Sequence, residues 1–299
     1  MSNFIQFVVE GLTIGSFYAL VALGYTMVYG IIRLINFAHG DLFMVGAFIG
    51  WTALTVLAAA HMPLALALLI ALVAAMAVTG ILGLAIERVA YQPLLRAPRL
   101  SILITALGVS LALENGVLLL YGAGFSTYPH VLTQAGLKFQ GVQITFAQIG
   151  IIFASFTLML ALYFFVHRTF VGTALRALAI DQDAARLMGI DVERLIQLTF
   201  FIGSALAAVA GVMDGLYYTQ INFFMGFVLG LRAFTAAVLG GIGNIPGAMA
   251  GGILIGLLES FGAGYGSSRW TDVLVFGVLI GMLVVKPTGL FGERVVERM

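Results

Sequence analysis

Glu114 with Asn115, Asp214, Arg232 and Glu259 stand inside long apolar runs of this chain. In an apolar medium an unpaired charge is costly, so each is either held by a partner or placed to meet a solute. Carboxylates suit a cation and a guanidinium suits an anion. The same groups also satisfy each other, and for any one residue taken alone an internal pair, such as Arg232 with Asp214 or Glu259, is the expectation. Asn36, His39 and Asp41 form a second polar group. Their i, i+3, i+5 spacing does not share one helical face, so no metal site is expected. Asp41 is expected to cap a helix over 42–60, with Gly40 easing the turn. A broken helix that turns its backbone dipoles toward a solute is the other reading. Gly240, Gly241, Gly243, Pro246 and Gly247 make a third group. No lysine with Ser/Thr follows them, so they are not a phosphate loop, and a helix break or close helix packing is expected instead. There is no His-Glu-x-x-His, Ala38 spoils the near match to Gly-x-Gly-Asp, and the chain has no cysteine. Zinc, aspartyl and thiol chemistry therefore find no motif here.

The elements that must position these residues follow from composition. Hydrophobic residues make up 62% of the 299 and charged ones 9%, with mean hydropathy +1.10. A soluble domain of this length cannot bury so much apolar surface, so the solvent is a bilayer. Period-2 alternation is absent, which excludes a barrel and leaves a polytopic, all-α membrane protein. About nine apolar segments are expected, near 7–31, 42–60, 64–86, 101–121, 146–166, 196–218, 224–243, 246–263 and 270–285. They form one transmembrane domain over 1–299. The first is expected to be a span, since nothing basic precedes it and it is too long for a leader's apolar core. The 37 glycines suit helices that approach closely or break.

Charge sets the expected orientation. Arg33, Arg88, Arg96, Arg99, Arg168, Arg176, Arg186, Arg194, Lys286, Arg294 and Arg298 fall on one side if every segment crosses; Lys138 and Arg269 fall on the other. The positive-inside rule then places the amino terminus outside and the carboxyl terminus in the cytoplasm. Glu114, Asp214, Arg232 and Glu259 come to lie in the outer half or near the middle. Segment 224–263 fits two full spans or two half-helices equally. The outer loop at about 122–145, with its Gln140–Gln143 region, is read as a hairpin or short surface helix, serving as a connector or a docking site.

The polar loop at about 168–194 breaks the pattern. Ala174, Leu175, Leu178, Ala185 and Met188 make an apolar stripe at helical spacing, with Arg176, Asp183 and Arg186 elsewhere on the surface. Asp181 or Asp183 is placed to cap a second helical piece, and Gly189 to end it. Small alanines and few bulky residues make a poor lipid anchor, so docking on a partner is preferred over an interfacial helix.

Asp183-Ala184-Ala185 with Gly189 resembles the EAA-type loop of ATP-binding-cassette importer permeases, with Asp183 in place of the usual glutamate. Aspartate keeps the charge and the capping capacity. Arg33 to Phe48, with its Asn36-Phe37-Ala38-His39-Gly40-Asp41 core, resembles the branched-chain amino-acid permeases of that class. So do Glu87 to Arg96 and Phe234 to Gly252. Length and the first block resemble the smaller, LivH-type subunit. The resemblance implies a multi-pass protein of the bacterial inner membrane. It also implies a second, LivM-type permease, two cytoplasmic ATPases docked on Arg176, Asp181, Asp183, Ala184, Ala185 and Gly189, and a periplasmic amino-acid-binding protein. No nucleic acid and no cofactor are implied. The function it implies is alternating access for leucine, isoleucine, valine or related amino acids, with ATP hydrolysed on the partners rather than on this chain. A zwitterion needs an anion for its ammonium and donors for its carboxylate, and Glu114, Asp214 and Arg232 have those types. Permeases for urea or short amides share much of the pattern. An autonomous secondary transporter or channel would have no use for the polar loop.

Overall fold

The computed structural model describes residues 2–33, 35–94, 97–129, 136–139 and 142–292. Arg96, Gln140, Arg294 and Arg298 lie outside the described residues. Leu-, Ala- and Val-rich runs long enough to cross hydrocarbon fold as helices, because there every backbone N–H must find its own carbonyl. In chain order these are α1 (Ser2–Ile32), α2 (His39–Ala59), α3 (Leu64–Ile86) and α4 (Arg99–Tyr121). After them come α5 (Phe146–Arg168), α6 (Phe170–Ile180), α7 (Gln182–Leu187) and α8 (Val192–Tyr218). The last three are α9 (Met225–Gly240), α10 (Ile245–Phe261) and α11 (Thr271–Val285). Eight helical stretches among the described residues are long and apolar enough to span a membrane. The ninth expected segment is α9, an apolar helix of 16 residues, shorter than those eight.

The 224–263 stretch is thus two separate helices. Gly241 and Gly243, at φ +105° and +95°, make the turn between them, where a Cβ would be strained. Asn244 then caps α10 by accepting from Gly247 N at 2.8 Å, with Pro246 in the first turn.

Helices α1 and α8 are the inner ones. In their most apolar windows 67% and 72% of residues are buried, against 11% for the α11 stretch, which faces outward. Glycine lets α1 and α10 meet backbone to backbone: a Cβ on Gly256 would sit 2.2 Å from Gly15 N. Across the opposite flank, Gly46 of α2 lies against Ala208 of α8.

The start of α2 differs from the sequence expectation. Helix α2 begins at His39, three residues early, inside the bundle rather than at its end. Arg33, at φ 55°, turns the chain back, and Asn36, Ala38 and His39 are all buried. Asp41 therefore lies within the first turn and caps nothing; Ala38 occupies the cap position and makes no side-chain bond. A carboxylate there still meets the free N–H groups of the first turn favourably. In 122–145, β2 (Gly136–Phe139) pairs antiparallel with β3 (Val142–Thr145). This is the hairpin alternative. A shorter pair, β1 (Ser126–Thr127) with β4 (Gln220–Ile221), ties that loop to the end of α8.

Candidate functional site

The bundle's two ends have different chemistry. At the β-strand end, Arg232 of α9 is the hub of a charged network between helices. Its Nη1 donates to Glu259 Oε1 of α10 at 2.6 Å and to Tyr18 Oη of α1 at 3.1 Å. Its Nε and Nη2 donate to Asp272 Oδ1 of α11 at 3.1 and 2.7 Å. Tyr18 in turn donates to Glu259 Oε2. Of the two partners expected for Arg232, Glu259 is the one found. Asp272, Tyr18 and Tyr218 were missed, although an aspartate early in an apolar segment was a signal available for Asp272. Two cavities flank this network. One, of about 460 Å³, is lined by Glu10, Tyr218, Arg232 and Glu259 among others. The other, of about 310 Å³, is lined by Tyr18, Asp214, Tyr218 and Arg232, with polar Gln220 and Asn222 and apolar Met225, Val228 and Leu229.

Deeper in the bundle lies the second polar group. Tyr91 donates to Asn36 Oδ1 at 2.6 Å, and Ser110 of α4 donates to Asp41 Oδ2. The His39 ring packs edge-on against Tyr25, with centroids 4.8 Å apart, in the space that Gly24 leaves open. Asn36 Nδ2, His39 Nε2 and Asp41 Oδ1 are buried without a partner among the described residues. Glu114, buried one turn along α4 from Ser110, belongs to this flank. Asn115 does not: it is exposed and donates to the Leu111 carbonyl of its own helix at 2.7 Å. No group of His, Cys, Asp and Glu able to hold a metal occurs among the described residues.

The far end carries α6 and α7. Thr169 caps α6 by accepting from Gly172 N at 3.0 Å. Asp181, not Asp183, caps α7, its Oδ1 accepting from Asp183 N at 2.9 Å and Ala184 N at 3.0 Å. Gly189 ends the piece at φ +82°. Leu175, Leu178 and Ala185 face inward and are buried. Arg176 reaches the Val166 carbonyl at 3.0 Å, and Gln182 reaches that of Ile31 at 2.7 Å, so the pair is bolted to α5 and α1. Met188 departs from the expected stripe. It is the C-cap residue that ends α7, 82% exposed beside Leu187 at 89%. Asp183 and Arg186 are exposed with it, 4.0 Å apart. Nearby, Gly240 and Gly247 pack against each other across the α9–α10 turn. The chain after α11 covers that turn: Leu290 N and Phe291 N donate to the carbonyls of Leu239 and Gly240 at 2.8 and 3.0 Å.

Spanning helices, ionisable residues lining cavities between them and a helical pair presented at one end define a multi-pass transport permease. A family model described as the permease component of branched-chain amino acid transport systems matches residues 7–283. The chain belongs to that family. It is 46% identical to the high-affinity branched-chain amino acid transport system permease protein BraD of Pseudomonas aeruginosa, over 99% of this chain and 98% of that one. It is 43% identical to the corresponding permease LivH of Escherichia coli K12, over the same shares of the two chains. A solved inward-facing metal-chelate-type ABC transporter matches at TM-score 0.46 and 15% identity, covering 93% of this chain and 86% of that one. That similarity is too distant to bear on the site.

Proposed function

We propose that this chain is a membrane-spanning subunit of an ATP-driven importer, passing branched-chain amino acids inward across the bacterial inner membrane. The observation that carries the reading is the α6–α7 pair. One face is locked into the bundle through Leu175, Leu178, Ala185 and Arg176, while Ile180, Asp183, Leu187 and Met188 stand free. Such a lever transmits a push from outside to α1 and α5. In this reading its partner is an ATPase, and the chain itself carries no phosphate loop. Arg33, Arg88, Arg168, Arg176, Arg186, Arg194 and Lys286 cluster toward this end, which supports a cytoplasmic placement. A second, LivM-type permease completes the core, and a periplasmic binding protein delivers substrate to the β-strand end.

Closure of the ATPase pair moves α6–α7, the helices around α1 and α8 rock, and the site opens alternately to each side. Asn36, His39, Asp41, Glu114, Asp214, Arg232 and Glu259 are the polar groups placed along that route; Asn115 faces away from it. The test is leucine uptake and ATP hydrolysis in proteoliposomes holding this chain, its partner permease, the ATPases and the binding protein. Loaded binding protein is expected to stimulate hydrolysis, and Asp183→Lys to abolish the stimulation while the subunits still co-purify. Uptake by this chain alone, indifferent to ATP and to the substitution, would sink the reading in favour of a secondary transporter.

A further inference from the structure

We infer that the cavity between α8 and α9 is an amino-acid waypoint in which Asp214, not Arg232, makes the primary ionic contact, taking the substrate's ammonium group. The inference rests on the importer reading and deepens it. Matching residue types alone would give the guanidinium to the substrate carboxylate, but the geometry points elsewhere. Arg232 is largely committed: four of its five N–H groups go to Glu259, Asp272 and Tyr18, and both of its ion-pair partners are the protein's own carboxylates. Asp214 is the opposite case. It is 6% exposed, lines the cavity, and among the described residues accepts no hydrogen bond and joins no ion pair. A buried carboxylate in that state is costly unless a proton or a cation satisfies it, and an arriving ammonium can take the proton's place. The local balance gives the sign of the ligand. One guanidinium faces the carboxyl groups of Glu259, Asp272 and Asp214, so an entering cation relieves the site and an added anion beside Arg232 would burden it.

The remaining walls fit the rest of an aliphatic amino acid. Met225, Val228 and Leu229 follow i, i+3, i+4 spacing and so present one apolar stripe of α9 to the cavity. Asn222 spends its side-chain oxygen on Phe224 N at 2.9 Å, which leaves its amide donors, with those of Gln220, for the carboxylate. A volume of about 310 Å³ lies at the small end of ligand sites and suits a single amino acid.

The chain has no cysteine, so Phe224→Cys at the cavity mouth places a single thiol in this subunit. In the assembled transporter in nanodiscs, without binding protein, the rate at which a water-soluble thiol reagent labels that cysteine is read with and without ligand. Leucine and 3-methylbutylamine are expected to slow labelling, and 4-methylpentanoate, which lacks the ammonium, is not. Adding Asp214→Asn is expected to weaken leucine protection by about 10- to 100-fold, the value of a hydrogen bond to a charged group. Protection by 4-methylpentanoate equal to that by leucine would overturn the assignment of the ammonium, even if the Asn variant failed to fold. No protection by leucine in a transporter that takes leucine up would overturn the site and leave the importer standing. Protection without ATP-dependent uptake would do the reverse.

Discussion

At the residue scale, Arg232 and Tyr128 show how individual polar side chains hold this bundle together. Glu259 is largely buried beside Arg232, so removing the cation strands a carboxylate. Arg232→Met is expected to destabilise by about 3–5 kcal/mol, and adding Glu259→Met to recover much of the loss. Thermal unfolding in detergent, run as a double-mutant cycle, measures both, and additive costs would contradict the pairing. Tyr128 is wholly buried, although it belongs to a connecting loop, and donates to the Ala47 carbonyl at 2.9 Å. Gly215 and Gly50 make room for its ring. Tyr128→Ala should cost about 3–5 kcal/mol and Tyr128→Phe only about 1 kcal/mol, the difference separating ring volume from one hydrogen bond. Equal losses would mean that the hydroxyl, not the packing, holds the loop. Charges such as Arg232 were legible in the sequence because hydrophobic surroundings make them conspicuous. Tyr128 was not, because nothing local distinguishes a plugged tyrosine from an interfacial one.

Elements are joined here mainly by glycine. Gly15 and Gly256 bring α1 and α10 into backbone contact, and a side chain at either has nowhere to go. Gly256→Leu is expected to separate the two helices and to break the Ser260 Oγ bond to the Phe7 carbonyl, now 2.8 Å. Yield of monodisperse protein and the thermal unfolding temperature in detergent report this; a wild-type yield with unchanged thermal stability would contradict the close-approach account. The helices were largely visible as apolar runs bounded by charges and turn residues. Their ends were less so. The start of α2 depends on space left by Gly24 and by Gly203 of α8, which lie at least 15 and 164 residues away in sequence. The sequence pattern around Asp41 carries no trace of that distance, so a cap was read where a buried first turn stands.

For the whole molecule the open question of orientation has a direct measurement. If α6–α7 faces the cytoplasm, Leu187→Cys should react only with reagent supplied from inside, and Phe125→Cys only from outside. Both positions are exposed and the background is free of thiols. Reversed labelling would invert the topology and remove the site proposed for the ATPase. The expected labelling would also place the Asp214 cavity toward the compartment from which substrate is delivered.

The sequence by itself determined the solvent, the helical class, nearly every segment and the family, because each is written in local composition or contiguous motifs. It also located the capped loop, since Asp181 and Gly189 act over a few residues. Only the tertiary structure decided which charges meet. Arg232 is 27 residues from Glu259 and 40 from Asp272, yet both touch it, while Asp214 is left to face a cavity. Ionic pairing depends on distances of a few ångströms between helices, and those are set by glycine contacts and packing across the whole bundle.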